Sequence, residues 1–180
     1  MAGRLIAIVG PSGVGKDSVL AGLLAADPGL CAARRVITRA PEPGGEDHEP
    51  VDEAEFHRRR AAGAFSLSWG AHGLYYGIGV DVPDQVAAGA QVLANLSRGV
   101  LAEAGTAFAA LTVLHVTAEP TVLAARLRAR GREDDAGIAA RLSRSAKPLP
   151  AGLDIRELRN DGTLAEAVSR ARALLQPVRA

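Results

Sequence analysis

The chain has 180 residues, 21 basic and 20 acidic, for a formal net charge of +1. Near neutrality leaves no global field toward nucleic acid or an anionic membrane, so any positive potential has to be local. With 48% hydrophobic but only 3% aromatic residues, the core of this single domain is expected to be built from Ala, Val, Leu and Ile.

The run Leu5–Val9 predicts a first strand. It leads into Gly10-Pro11-Ser12-Gly13-Val14-Gly15-Lys16-Asp17-Ser18, and then into the helical spacing Val19, Leu20, Leu23, Leu24. Strand, glycine-rich turn and helix form the context in which G-x-x-x-x-G-K binds phosphate. Glycines let the backbone curl until N–H groups point inward, the helix N-terminus adds partial positive charge, and Lys16 reaches the terminal phosphates. The residue after that lysine, ordinarily Ser or Thr, is Asp17.

After Asp27-Pro28-Gly29 comes Cys31, the sole cysteine, which excludes an internal disulfide and fits a reducing compartment. Its side chain is expected in the core. A β-branched stretch over 35–39 precedes a polar, aperiodic loop at 41–48. Asp52-Glu53-Ala54-Glu55 opens a helix that closes at Gly63, and 65–78 reads as strand and turn around Trp69, Tyr75 and Tyr76. Short helices at 82–88, 98–104 and 120–130 alternate with strands at 91–96, 109–116 and 153–158. Thr163-Leu164-Ala165-Glu166 is a capping box for the last helix. Strands spaced by helices predict an α/β fold with a parallel sheet covered on both faces, its binding edge at the carboxyl ends of the strands. Residues 34–90 are the least regular and form an insertion beside that edge. The chain runs straight into its first strand without a secretory pattern, and no apolar stretch reaches the ~18 residues a membrane span needs, so a cytoplasmic location is expected.

Six arginines fall between positions 126 and 144. Arg126 and Arg130 share one helix face, and Arg141 and Arg144 another. Faces meeting over the glycine-rich loop would surround a transferring phosphoryl group with guanidinium, which is what such a reaction requires. Surface arginines paired with Glu133 to Asp135 are the alternative. The four histidines lack metal-ligand spacing.

Over almost its full length the chain resembles the guanylate kinase superfamily. The matching pieces are the loop at 10–18, Ile37-Thr38-Arg39-x-Pro41, Gly45-Glu46, Phe56, Gly63-Ala64-Phe65, Tyr76-Gly77, Gly89, and Arg126-Leu127-x-x-Arg130-Gly131 with Arg141-Leu142. The resemblance implies a three-layer P-loop kinase with a central five-stranded parallel sheet, a lid at 126–147 and an acceptor-binding subdomain at 34–90. Departures narrow it. Besides Asp17, Leu67 stands where these kinases carry the glutamate that accepts hydrogen bonds from guanine, and Asn95 and Ser97 stand in place of an acidic D-x-D stretch. Leucine cannot accept those protons, and each unpaired buried donor costs about 1–3 kcal/mol.

Phosphate handling without base reading, together with Gly45-Glu46-Asp47-His48 and Trp69-x-Ala71-His72-Gly73-Leu74-x-Tyr76-Gly77-Ile78, is similar to the ribose 1,5-bisphosphate phosphokinase family. That resemblance implies ATP-dependent phosphorylation of ribose 1,5-bisphosphate to 5-phospho-α-D-ribose 1-diphosphate in phosphonate catabolism, with Mg²⁺ as cofactor and no nucleic-acid or membrane partner. The implied ATP site is Gly10, Pro11, Ser12, Gly13, Val14, Gly15, Lys16, Asp17 and Ser18, with Asp17 and Ser18 toward the metal. Asp17 alternatively serves only as an acidic first-turn residue. Arg35, Arg39 and Tyr76 are implied for the acceptor, and Lys16, Arg130 and Arg141 for catalysis. His48 and His72 suit a sugar or phosphate contact, or are solvated loop residues. Phe65 and Trp69 read as core packing. A nucleoside monophosphate kinase with an altered pocket and a non-catalytic guanylate kinase-like interaction domain remain the rival readings.

Overall fold

Alternate residues of strand β1 (Arg4–Val9) serve two different cores. Leu5, Ala7 and Val9 face one side and Ile6 and Ile8 the other, all fully buried, as a strand covered on both faces requires. The computed structural model describes residues 2–40, 46–130 and 148–176. Its remaining strands are β2 (Leu30–Ala32), β3 (Arg35–Ile37), β4 (His48–Pro50), β5 (Phe65–Ala71), β6 (Leu74–Gly79), β7 (Gln91–Asn95), β8 (Leu111–Thr117) and β9 (Asp154–Arg159). Its helices are α1 (Lys16–Ala26), α2 (Glu53–Ala61), α3 (Asp81–Ala87), α4 (Leu101–Ala107), α5 (Pro120–Arg130) and α6 (Leu164–Leu175).

Five strands in the order β2-β7-β1-β8-β9, all parallel, make the central sheet. One face is covered by α1 and α6 through Val19, Leu23, Ala167 and Ala171. The other is covered by α3, α4 and the buried side of the β5–β6 hairpin, through Val82, Val86, Leu101, Leu67 and Ile78. The second sheet, β4-β3-β6-β5, is built from strands between Arg35 and Gly79, with β3 and β4 parallel and the other pairs antiparallel. His72 (φ 56°) and Gly73 (φ 74°) turn the hairpin from Ala71 to Leu74. Positive φ at both residues is what a two-residue type I′ turn demands.

The α/β class and the five-stranded parallel sheet agree with the sequence reading. The capping box also forms: Thr163 Oγ1 accepts from Glu166 N, and the Glu166 carboxylate accepts from Thr163 N. Two strands were not foreseen, β2 and β4. Each has three residues, too few to show a period, and each exists because a neighbour offers a free edge. Cys31 corrects its expectation: it is exposed on β2 at the edge of the central sheet. Among the described residues no helix is long and apolar enough to cross a membrane.

Candidate active site

The glycine-rich turn leaves β1 at the carboxyl edge of the central sheet. Gly13 (φ 82°) and Gly15 (φ 91°) take backbone conformations that L side chains rarely adopt. A Cβ on Gly13 would lie 2.9 Å from Leu127 of α5, and one on Gly15 would lie 2.8 Å from Asn160 Nδ2. Gly15 caps α1 without a side chain, so the first-turn N–H groups keep their donors for an anion. Lys16 Nζ donates to the carbonyls of Gly10 (3.0 Å) and Pro11 (3.1 Å), which holds the ammonium over the curl. The loop is also fastened from behind, where Asn160, following β9, donates to Val14 O at 2.8 Å.

A cleft of about 490 Å³ runs from this turn to the second sheet. Its floor is a polar network centred on Asn95, the last residue of β7 and only 2% exposed. Asn95 Nδ2 donates to Asp17 Oδ1 (2.8 Å) and to Glu46 Oε2 (2.7 Å), one amide hydrogen for each carboxylate. Arg35 grips Glu46 bidentately, Nε to Oε1 at 2.6 Å and Nη2 to Oε2 at 2.7 Å, and Nη1 donates to the Asn95 carbonyl at 3.0 Å. The guanidinium carbon of Arg35 lies 5.2 Å from the Tyr76 ring centroid, and Tyr76 stacks on Trp69 at 5.4 Å and 9°.

Arg39 lines the same cleft, and its Nε is buried without a hydrogen-bond partner among the described residues. A buried charged donor left unpaired is expensive, and the cheapest remedy is an anion. His72, at the hairpin tip, lines the cleft as well. His48 does not line the cleft. It is 4% exposed, Nδ1 meeting Glu46 O at 2.9 Å and Nε2 meeting Arg39 O at 3.0 Å, so it ties Glu46 to Arg39. His115 on β8 also stands apart from the cleft; burial, then Arg98, hold its imidazole below the ordinary range.

The structure thus gathers Gly10, Ser12, Gly13, Gly15, Lys16, Asp17, Ser18, Arg35, Arg39, His72 and Tyr76 around one cleft, with Pro11 and Val14 within the same turn. Arg35 reaches it already committed to Glu46, and His48 sits behind it. Arg141 and the side chain of Arg130 lie outside the described residues. Sequence reasoning underrated Glu46 and Asn95 and gave Trp69 to the core. Trp69 does pack on the core, but it also faces the cleft. No local pattern marks a lone Asn at a strand end; the signal available was its position where an acidic stretch belongs.

A parallel sheet with this glycine-rich turn at its carboxyl edge, and a cationic cleft beside the lysine, defines a P-loop kinase. The fold agrees: guanylate kinase from Anaplasma phagocytophilum matches with TM-score 0.69 at 20% identity, over 97% of this chain and 86% of that one. No family model matches the chain. Among curated proteins, ribose 1,5-bisphosphate phosphokinase PhnN of Ruegeria sp. (strain TM1040) is 52% identical over 99% of this chain and 94% of its own length. The protein of the same name from Pantoea vagans (strain C9-1) is 50% identical over 96% and 97%. The chain belongs to the ribose 1,5-bisphosphate phosphokinase PhnN family.

Proposed function

We propose that the chain transfers the γ-phosphoryl group of ATP to the C1 phosphate of ribose 1,5-bisphosphate. The products are 5-phospho-α-D-ribose 1-diphosphate and ADP, and the setting is phosphonate catabolism in the cytoplasm. Relatives at 52% and 50% identity carry that substrate in their names. The observation that carries the reading is position 67. Leu67 is 1% exposed within the apolar core, so the hairpin offers no carboxylate there to read a purine, while the cleft beside it is walled by Arg35 and Arg39.

The chemistry suits that wall. The attacking atom is a phosphate oxygen, already anionic at neutral pH because its second pKa is about 6. No general base is needed; the site has to supply positive charge against the repulsion between two anions. In this reading the turn 10–18 cradles the ATP phosphates and Lys16 spans the transferred group. Arg130 and Arg141 join it from the lid at 126–147. In the acceptor subdomain at 34–90, Arg39 grips an acceptor phosphate with its buried Nε. Arg35 adds the N–H donors it does not spend on Glu46 and Asn95. Tyr76 and His72 meet the sugar and its 5-phosphate, and His48 acts indirectly by shaping the loop that carries Arg39.

Asp17 and Ser18 are adjacent in the first turn of α1 and line the cleft, an oxygen donor pair of the kind Mg²⁺ uses together with substrate phosphates and water. Bound there, Mg²⁺ would neutralise charge on the ATP phosphates.

The test is product analysis by phosphorus NMR after incubation with ATP, Mg²⁺ and ribose 1,5-bisphosphate, beside parallel reactions with GMP and AMP. A diphosphate on C1 is the expected product. Efficient formation of a nucleoside diphosphate from GMP would overturn the reading in favour of a nucleoside monophosphate kinase.

A further inference from the structure

Asn95 spends its whole donor capacity on two anions. Its Nδ2 bonds Asp17 Oδ1 and Glu46 Oε2 at 2.8 and 2.7 Å, which brings a carboxylate of the P-loop and one of the insertion within reach of the same nitrogen. Like charges this close repel, and Arg35 offsets only the Glu46 side. The Oδ1 of the same amide is buried without a hydrogen-bond partner among the described residues. An amide chosen only for packing would not be oriented to leave its own oxygen unsatisfied. The orientation is explained by the two carboxylates, one of which is the residue following the P-loop lysine.

Resting on the phosphotransfer reading above, we propose that Asn95 is a positioning residue. It holds Asp17 and Glu46 at a fixed separation across the join between the central sheet and the insertion, and thereby sets how tightly ATP is bound with a divalent cation. Asn95 touches neither substrate nor reacting atoms in this role. It acts through Asp17, as groups behind a metal ligand commonly do.

Two variants test this, because only one of them keeps the two amide donors. Asn95→Ala removes the clamp, and the two carboxylates swing apart. The Mg²⁺ concentration that half-saturates ATP binding in calorimetry then rises about 10-fold or more, and kcat falls about 10- to 100-fold. Asn95→Gln keeps both amide donors, so the half-saturating Mg²⁺ concentration stays far closer to the wild-type value than in Asn95→Ala. Thermal unfolding run in parallel reports whether either variant loses the fold. If Asn95→Gln does not fold, the Asn95→Ala result decides.

An unchanged Mg²⁺ dependence of ATP binding in folded Asn95→Ala overturns the proposal, whatever happens to kcat, since lost packing alone would lower turnover without moving it. Calorimetry needs no acceptor. Wild-type protein that binds ATP in an Mg²⁺-dependent way but fails to phosphorylate ribose 1,5-bisphosphate would therefore overturn the function proposed above and leave the role of Asn95 to be decided by the variants.

Discussion

Asn160 and Val14, 146 positions apart in sequence, are joined by a 2.8 Å hydrogen bond from the Asn160 side chain to the Val14 carbonyl. Asn160 is 5% exposed, and its own N–H is held by Thr117 O at 2.8 Å, so the far edge of the central sheet props the phosphate-binding turn. Replacing Asn160 with Ala removes a buried donor and should destabilise the fold by about 1–3 kcal/mol. Urea unfolding measures that loss. ATP affinity should fall with it, because the turn loses its support.

Lys16 reaches over the turn from the first position of α1, and its aliphatic stem carries little of the core. Lys16→Ala is therefore expected to leave the unfolding midpoint nearly unchanged while lowering kcat by about 10²–10³, the scale seen when one charge-stabilising donor is removed. A variant with wild-type turnover would remove the lysine from the chemistry.

Leu67 tests whether base reading can be restored by one change. Leu67→Glu places a carboxylate inside the apolar cluster that also holds Ile78, Val82 and Val86. An unpaired buried charge costs about 3–5 kcal/mol. The expected outcome is a large drop in thermal stability and no gain of activity toward GMP. A stable Leu67→Glu protein that phosphorylates GMP would show that the hairpin tolerates a polar group at that position.

Glu55 accepts hydrogen bonds from Arg58 and Arg59, and those bonds lower its pKa from 4.5 to about 2. A carboxylate whose pKa is depressed by folding adds stability above its unfolded value, and that stability is lost as pH falls through the folded one. The Glu55 contribution should thus be complete above about pH 5 and disappear between pH 4.5 and 2. Its size is small because the half-buried carboxylate and its two arginines remain in contact with water. Glu55→Gln should flatten the stability profile in that window and leave it unchanged near neutrality, as acid titration followed by circular dichroism would report.

What was legible in the sequence is the part whose physics is local. The turn at 10–18 announces itself because strand, glycines, lysine and helix must follow one another, and the 163–166 cap because its two hydrogen bonds span three residues. Arg35 was legible only as a charge. Its partner Glu46 lies 11 positions away, and nothing in either segment says that the guanidinium is spent there. Asn95 is an ordinary residue until Asp17 and Glu46 arrive from elements 78 and 49 positions distant. Cys31 was misjudged because burial was inferred from side-chain chemistry, whereas a three-residue edge strand leaves its outer side to water.

The bond from Arg35 Nη1 to the Asn95 carbonyl fastens the start of β3 to the end of β7, close to where the two sheets meet. Any displacement of β3 would therefore be transmitted through Asn95 to Asp17 and Glu46, so this one bond couples the acceptor-side strand to the residue that follows the P-loop lysine.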